Sequence, residues 1–204
     1  MKKQYWNKTW SLDHGYRGLV PTKELPWDIY THDPALAEAL ISLELSGKAL
    51  ELGCGSGFDT KFMTEQGLSV TAMDISDIAI DIAKANNKGN SAKFIVGDIK
   101  TDIPNEKFDL VYDRGCLHNN PKLLEATFKK LHELLNPNGK IILITGNDNE
   151  TCNTLTRPNR TTISEIEIPS ANYFTIKLVK EITFYLNKNY GDGLGWLFIL
   201  ERKP

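Results

Sequence analysis

The fold of this chain is decided by residues 48–57, which read KALELGCGSG. The first five residues are typical of a short buried strand, and the segment that follows, 56–66, is typical of a helix that ends at Gly67. The glycines at 53, 55 and 57 permit positive φ and omit the Cβ atoms that would keep a ligand away from the backbone. The stretch therefore predicts a strand, a close-approach loop and a helix, although such a loop can also be only a tight turn.

Strands and helices alternate on both sides of this loop. We expect strands at 48–52, 69–73, 93–96, 108–112 and 141–145 and helices at 35–45, 56–66, 76–87 and 121–135. This alternation predicts an α/β fold, in which a parallel sheet is covered by helices on both faces. Two longer strands at 174–186 and 194–202, joined by a turn-rich linker, fit an antiparallel pair.

The segments outside this alternation are predicted to be irregular. Residues 1–33 are rich in aromatic side chains, and residues 146–162 are polar and predicted to form a loop. We expect one domain over residues 1–204, with residues 1–32 as an N-terminal arm or lid and residues 33–204 as the core. The aromatic arm could pack on the core or close over a ligand.

Acidic residues stand at or near the ends of three successive predicted strands. Asp74 lies 21 residues after Gly53, where a carboxylate can accept hydrogen bonds from both hydroxyls of a ribose, although a helix cap would also place an Asp there. Asp98 ends the next strand, where it could accept from an adenine amine, and Glu51 lies in the first strand. These acids predict a nucleoside site for a ligand with a positive charge.

Composition excludes several classes of protein. The 24 Lys and Arg against 26 Asp and Glu leave a net charge of -2, so no nucleic-acid partner is expected. No apolar run approaches the roughly 18 residues of a membrane span, and the N-terminus lacks the apolar part of a secretory signal. The three cysteines form no paired or zinc-type spacing, so we expect a cytoplasmic protein without a metal site.

Five segments, in their order and spacing, resemble the class I S-adenosylmethionine-dependent methyltransferases. They are residues 49–57, 70–76, 94–98, 108–113 and 135–140. The resemblance implies a Rossmann-like, seven-stranded, mostly parallel sheet whose last strand runs antiparallel, in agreement with the predicted C-terminal pair. It also implies S-adenosyl-L-methionine as cofactor.

Further segments resemble the thiopurine S-methyltransferase-like and tellurite-resistance branch of that family. They are residues 5–10, 26–29, 113–118 and 196–202. Thiopurine methyltransferases proper carry Glu where Asp74 stands and lack this glycine-rich motif, and relatives often repeat His where Asn119 stands. The resemblance therefore implies a small acceptor with a thiol, selenium or tellurium nucleophile, methylated in line.

The candidate site residues follow from the motifs and the resemblance. Asp113 and His118 are the candidate catalytic residues, because the acceptor should approach after the fourth strand and His118 could relay a proton. The candidate cofactor-binding residues are Trp10, Trp27, Glu51, Gly53, Cys54, Gly55, Gly57, Asp74, Ile75, Asp98, Ile99 and Asp113. Arg114 could orient an anionic acceptor or hold an internal carboxylate.

Other functions remain open at this stage. The chain could be an O- or N-methyltransferase of a small metabolite, or a binding protein without catalysis. A nicotinamide-dependent oxidoreductase shares the topology, but the dinucleotide fingerprint G-x-G-x-x-G is absent, because Phe58 and Asp59 follow Gly57. We expect a small-molecule acceptor, no nucleic acid, no membrane, and a monomer or weak dimer.

Overall fold

A computed structural model describes residues 2–11, 24–119, 121–151 and 159–204. Part of the predicted arm, 12–23, and Cys152 lie outside the described residues. The helices are α1 Lys2–Trp10, α2 Pro34–Leu43, α3 Phe58–Glu65, α4 Asp77–Asn86, α5 Leu124–Leu134 and α6 Ile163–Ser170. The strands are β1 Lys48–Leu52, β2 Ser69–Asp74, β3 Lys93–Val96, β4 Phe108–Arg114, β5 Leu135–Asn147, β6 Arg160–Thr161, β7 Phe174–Phe184 and β8 Gly193–Arg202.

The sheet confirms the predicted fold class. Its strand order is β3-β2-β1-β4-β5-β8-β7, and β8 runs antiparallel to both of its neighbours. The two-residue strand β6 pairs with the end of β5 outside this path. Strand order reverses between β1 and β4, and ligands of open α/β sheets bind beyond the carboxyl ends of the strands at such a point.

Local sequence explains how the central helices begin. Asp33 caps α2, accepting a hydrogen bond from the Ala35 amide at 2.8 Å, and Pro34 occupies the first helical position. Ser76 caps α4 in the same way by accepting from the Ala79 amide. Strands β1 and β2 are buried except for their first residues, so the ends of both are held rigidly against the core.

Two apolar clusters fill the faces of the sheet. One cluster joins α2, α3 and α4 to one face through residues such as Leu36, Met63 and Ile80. The other joins α5 and α6 to the opposite face through Phe128 and Ile166. Among the helices of the described ranges, none combines the length and the apolar character that crossing a bilayer would require.

Several predicted boundaries were wrong. Residues 2–10, predicted to be irregular, form α1, because contacts with α4 stabilise a segment whose own sequence has weak helical periodicity. Helix α6, which the sequence did not predict, begins directly after the predicted loop at 146–162, and a capping box between Thr162 and Glu165 stabilises it. The two-residue strand β6 lies within that predicted loop. Helix α2 ends at Leu43 rather than Leu45, because Glu44 adopts the left-handed conformation with φ of 47°.

Candidate active site

The glycine-rich loop lies between the end of β1 and the start of α3. Gly53, Gly55 and Gly57 have φ values of 68°, 53° and 78°, a region that favours glycine. A Cβ on Gly53 would lie 2.7 Å from the Cβ of Cys116, and one on Gly57 would lie 2.9 Å from the Cβ of Ala83. The protein's own packing therefore requires glycine here, and the bare backbone also leaves room for close approach by a ligand.

Asp74 stands at the end of β2, beside this loop. One carboxylate oxygen accepts from the Gly55 amide at 3.1 Å and the other from the Ser76 amide at 2.9 Å. A carboxylate can accept about four hydrogen bonds, so each oxygen retains acceptor capacity. Burial raises the pKa of Asp74, while the backbone amides oppose that shift. The residue is a rigidly held acceptor at the position predicted for a ribose.

Asp98 and Ile99 follow β3, and Ile75 follows Asp74. Asp98 is half-buried, and its carboxylate accepts from the Lys100 amide at 3.0 Å, which fixes the turn after the strand. Ile75 and Ile99 are also half-buried, and Ile99 packs against the apolar cluster under α5. Their part in holding an adenosine stays a prediction.

A pocket lies between the glycine-rich loop and the N-terminal arm. The arm contributes Trp10, Trp27, Asp28, Ile29 and Thr31. The opposite wall is formed by Glu51, residues 53–56, Phe58 and Asp59, with Arg114 at its side. The pocket thus contains six of the predicted cofactor-binding residues and brings the two arm tryptophans to the loop.

The tryptophans are packed in edge-to-face pairs. The ring of Trp27 lies 5.8 Å from that of Trp6 and 6.3 Å from that of Trp10, between centroids. Trp10 is buried and so close to Gly55 that a Cβ there would lie 3.0 Å from the indole. Its six-membered ring therefore covers the glycine-rich loop.

Two carboxyl groups of the pocket wall, those of Glu51 and Asp59, are buried and have raised pKa values. Burial and the neighbouring Asp59 raise the pKa of Glu51 well above its ordinary value, and Glu51 accepts a hydrogen bond from Thr60. Burial raises the pKa of Asp59 to about 6, although Arg114 opposes that shift. Asp59 accepts from the Tyr112 hydroxyl at 2.9 Å and from the Asp33 amide at 2.7 Å. The wall is thus acidic and rigid.

The guanidinium of Arg114 is used inside the protein. It donates to the Asp33 carboxylate at 2.5 Å, to the Trp27 carbonyl at 3.2 Å and to the Tyr185 carbonyl at 2.5 Å. It also lies over the Phe184 ring, 4.7 Å from the centroid. Of the two interpretations that the sequence left open, the structure shows the internal carboxylate.

Asp113 and His118, the predicted catalytic residues, do not line this pocket as described. The Asp113 carboxylate accepts from the amides of Cys116 at 3.2 Å and Leu117 at 3.0 Å, so it caps the turn after β4. Burial raises the pKa of Asp113 to about 7. The His118 ring lies beside Gly115 on the same turn. The structure thus places both side chains on the turn after β4, and their catalytic role stays a prediction.

Sequence reasoning missed other residues of the pocket. Asp28, Ile29 and Thr31 follow Trp27, and Asp28 accepts from the Ser56 hydroxyl at 2.8 Å. Because they closely follow Trp27 in the sequence, they could have been predicted as pocket residues together with it. From the sequence, Asp59 was named only because it departs from the dinucleotide fingerprint, although its position at the start of α3 places it beside the loop.

The chain matches a family model described as a methyltransferase domain over residues 49–139. Thiocyanate methyltransferase 1 of Brassica oleracea is 33% identical over 146 residues, which cover 68% of this chain and 60% of that protein. The chain thus spans less than two thirds of the length of this relative.

Solved structures agree with the fold. A structure from work on converting a disulfide bond into a thioacetal group in echinomycin biosynthesis has a TM-score of 0.83 at 24% identity, over 100% of this chain and 93% of that one. Magnesium protoporphyrin IX methyltransferase of Synechocystis, with bound S-adenosylhomocysteine, has a TM-score of 0.70 at 20% identity, over 99% and 98% of the chains. With the motif order and the sequence relatives, these findings show that the chain carries a methyltransferase domain over residues 49–139 within the fold of the class I S-adenosylmethionine-dependent methyltransferases.

Proposed function

We propose that this protein is an enzyme that methylates the sulfur, or a related chalcogen atom, of a small thiol-type molecule, with S-adenosyl-L-methionine as donor. The observation that carries the proposal is the carboxyl lining of the pocket, because burial raises the pKa of these groups and a nearby cation would favour their ionised forms. Its described wall holds the carboxyl groups of Asp28, Glu51 and Asp59, whereas the guanidinium of Arg114 is bonded internally. Such a wall suits a cationic sulfonium and disfavours a pyrophosphate.

The residues fit the donor in two further ways. Asp74 retains acceptor capacity for the ribose hydroxyls, and the loop from Gly53 to Gly57 offers backbone without side chains. Trp10 and Trp27 present aromatic rings, whose faces attract a cation within about 6 Å. We propose that these residues hold the donor, which when bound supplies an electrophilic methyl group.

The acceptor class is supported by the relatives and by chemistry. The relative from Brassica oleracea is named for thiocyanate, an acceptor with a sulfur atom. A thiol with a pKa near 8.5 is partly ionised at neutral pH, so it needs less help from a base than a phenol does. Asp113 and His118 lie on the turn after β4, outside the described wall of this pocket, and a proton relay by His118 stays a prediction. The chain's contribution is then mainly orientation, which can supply about 7–11 kcal/mol.

We also propose that the arm, residues 1–32, covers the donor and the acceptor. In α1, Asn7 accepts from the Ser76 hydroxyl at 2.8 Å and from the Asp77 amide at 3.1 Å, next to Asp74. A covered site excludes water and orients the acceptor. That the chain forms a single domain remains a prediction. So do its state as a monomer or weak dimer, its location in the cytoplasm, and the expectation that it has no nucleic-acid or membrane partner.

A turnover panel tests the proposal. Small thiols, thiocyanate, phenols and amines are offered with S-adenosylmethionine, and S-adenosylhomocysteine is measured. Turnover should be fastest with a sulfur acceptor. Turnover with phenols or amines alone would favour an O- or N-methyltransferase, and donor binding without any turnover would favour a binding protein.

Calorimetry separates the oxidoreductase alternative. S-adenosylmethionine and S-adenosylhomocysteine should bind in the micromolar range, about -8 kcal/mol. Binding of NADH without binding of either of these compounds would contradict the proposal.

A further inference from the structure

The connection between β7 and β8, residues 185–192, is bonded to the part of the arm that lines the pocket. The Asn187 amide donates to the Pro26 carbonyl at 2.7 Å, and its side-chain amide donates to the Asp28 carbonyl at 3.1 Å. The Tyr190 hydroxyl donates to the Glu24 carbonyl at 3.1 Å. Three hydrogen bonds thus reach over about 160 residues of sequence to hold residues 24–28.

Asn187 is itself fixed by its own turn. It is buried, with 2% of its surface exposed, and its side-chain oxygen accepts from the Asn189 amide at 3.2 Å. Its carbonyl accepts from the Tyr190 amide at 2.8 Å. The side chain therefore cannot move without breaking the turn, which makes it a rigid donor toward the arm.

The arm segment that Asn187 holds forms one wall of the pocket. Trp27 lies between the two residues whose carbonyls accept from Asn187, and Asp28 accepts from the Ser56 hydroxyl of the glycine-rich loop. Arg114 supplies a further bond to the same segment, at the Trp27 carbonyl. The C-terminal connection and the glycine-rich loop thus hold residues 26–28 from opposite sides.

We infer that Asn187 is a positioning residue for methyl transfer. It does not belong to the described pocket wall, and it acts through Pro26 and Asp28 to hold the Trp27 wall at the distance from the glycine-rich loop that orients the acceptor. This inference rests on the proposed function. It assigns the C-terminal connection, which carries none of the cofactor motifs, a part in the reaction.

The test compares Asn187→Ala with Thr162→Ala in the full chain. Each change removes a side chain that bonds to backbone amides or carbonyls, but Thr162 caps α6, which packs against α5 and β7. In Asn187→Ala the backbone bond to Pro26 remains. Loss of the side-chain bonds to Asp28 and Asn189 should lower kcat/KM for the thiol acceptor about tenfold. Thr162→Ala should keep kcat/KM within about twofold of the wild type at a similar loss of melting temperature.

Acrylamide quenching of tryptophan fluorescence is the second measurement, and it does not need turnover. Quenching should increase in Asn187→Ala and stay at the wild-type level in Thr162→Ala, because only the first change loosens the wall that carries Trp27. If Asn187→Ala does not melt cooperatively, the isosteric Asn187→Asp removes the donated N–H and takes its place in both measurements.

The outcomes separate the two proposals. An unchanged kcat/KM in the Asn187 variant, or an equal fall in Thr162→Ala, overturns the positioning role while the proposed function stands. If the wild type transfers no methyl group, the proposed function fails, and quenching alone decides whether Asn187 holds the wall. Unchanged quenching then overturns the inference as well.

Discussion

Replacing Arg114 by Met should strongly destabilise the protein. The guanidinium is buried, and its ion pair with Asp33 at 2.5 Å has almost no access to solvent. Removing one partner of a buried pair leaves an uncompensated charge, which costs about 3–5 kcal/mol. The carbonyls of Trp27 and Tyr185 also lose a donor each. Because whole domains are stable by about 5–15 kcal/mol, this loss should be plain in urea unfolding.

The double variant Arg114→Met, Asp33→Asn tests the cause. Asn is as good an N-cap as Asp, so the bond to the Ala35 amide should survive, while no buried charge remains. The double variant should therefore be less destabilised than Arg114→Met alone. A loss below about 1 kcal/mol in the single variant, or a double variant that is no more stable than the single one, would refute the assignment of Arg114 to an internal carboxylate.

Three further results are expected. Asp74→Ala should weaken S-adenosylhomocysteine binding by about 1.5–3 kcal/mol in calorimetry, since two hydroxyl partners are lost. The control Asp81→Ala, at an exposed acid on α4, should not weaken it, and equal affinities of the two variants would contradict the ribose role. Because burial raises the pKa of Asp113 to about 7, protonation of Asp113 stabilises the folded state, and this stabilisation is lost as pH rises from about 4 through 7. Between pH 5 and pH 8, the melting temperature of Asp113→Asn should therefore fall less than that of the wild type. Parallel curves of melting temperature against pH would argue against this titration. Addition of EDTA should leave the turnover rate unchanged, because a sulfonium methyl group is electrophilic without a metal; strict dependence on a divalent cation would oppose the proposal.

The sheet and the geometry of the glycine-rich loop could be predicted because local patterns determine them. The glycines at 53, 55 and 57 require a special backbone, and Asp74 ends a strand whose apolar residues identify it. Ser76 is a recognisable cap, and the helix predicted at 76–87 begins there. Each of these features depends on neighbours in sequence.

The contacts around Arg114 and residues 26–28 could not be predicted because they depend on side-chain direction and on residues distant in sequence. Successive residues of a strand point to opposite faces, so Tyr112 and Arg114 reach toward Asp59 and Asp33 while Asp113 turns to the other side. Position after β4 alone suggested Asp113 as a catalytic residue. Likewise, no local signal connects Asn187 with Asp28, which lie 159 residues apart.

One labelled competition experiment tests the central claim most directly. The protein is incubated with S-adenosylmethionine that carries a deuterated methyl group and with equal amounts of a small thiol, a phenol and an amine. The labelled products are then identified and quantified by mass spectrometry. The account predicts that the label appears on sulfur, together with an equal amount of S-adenosylhomocysteine. Label on oxygen or nitrogen in preference to sulfur, or no labelled product from a donor that binds, would contradict it.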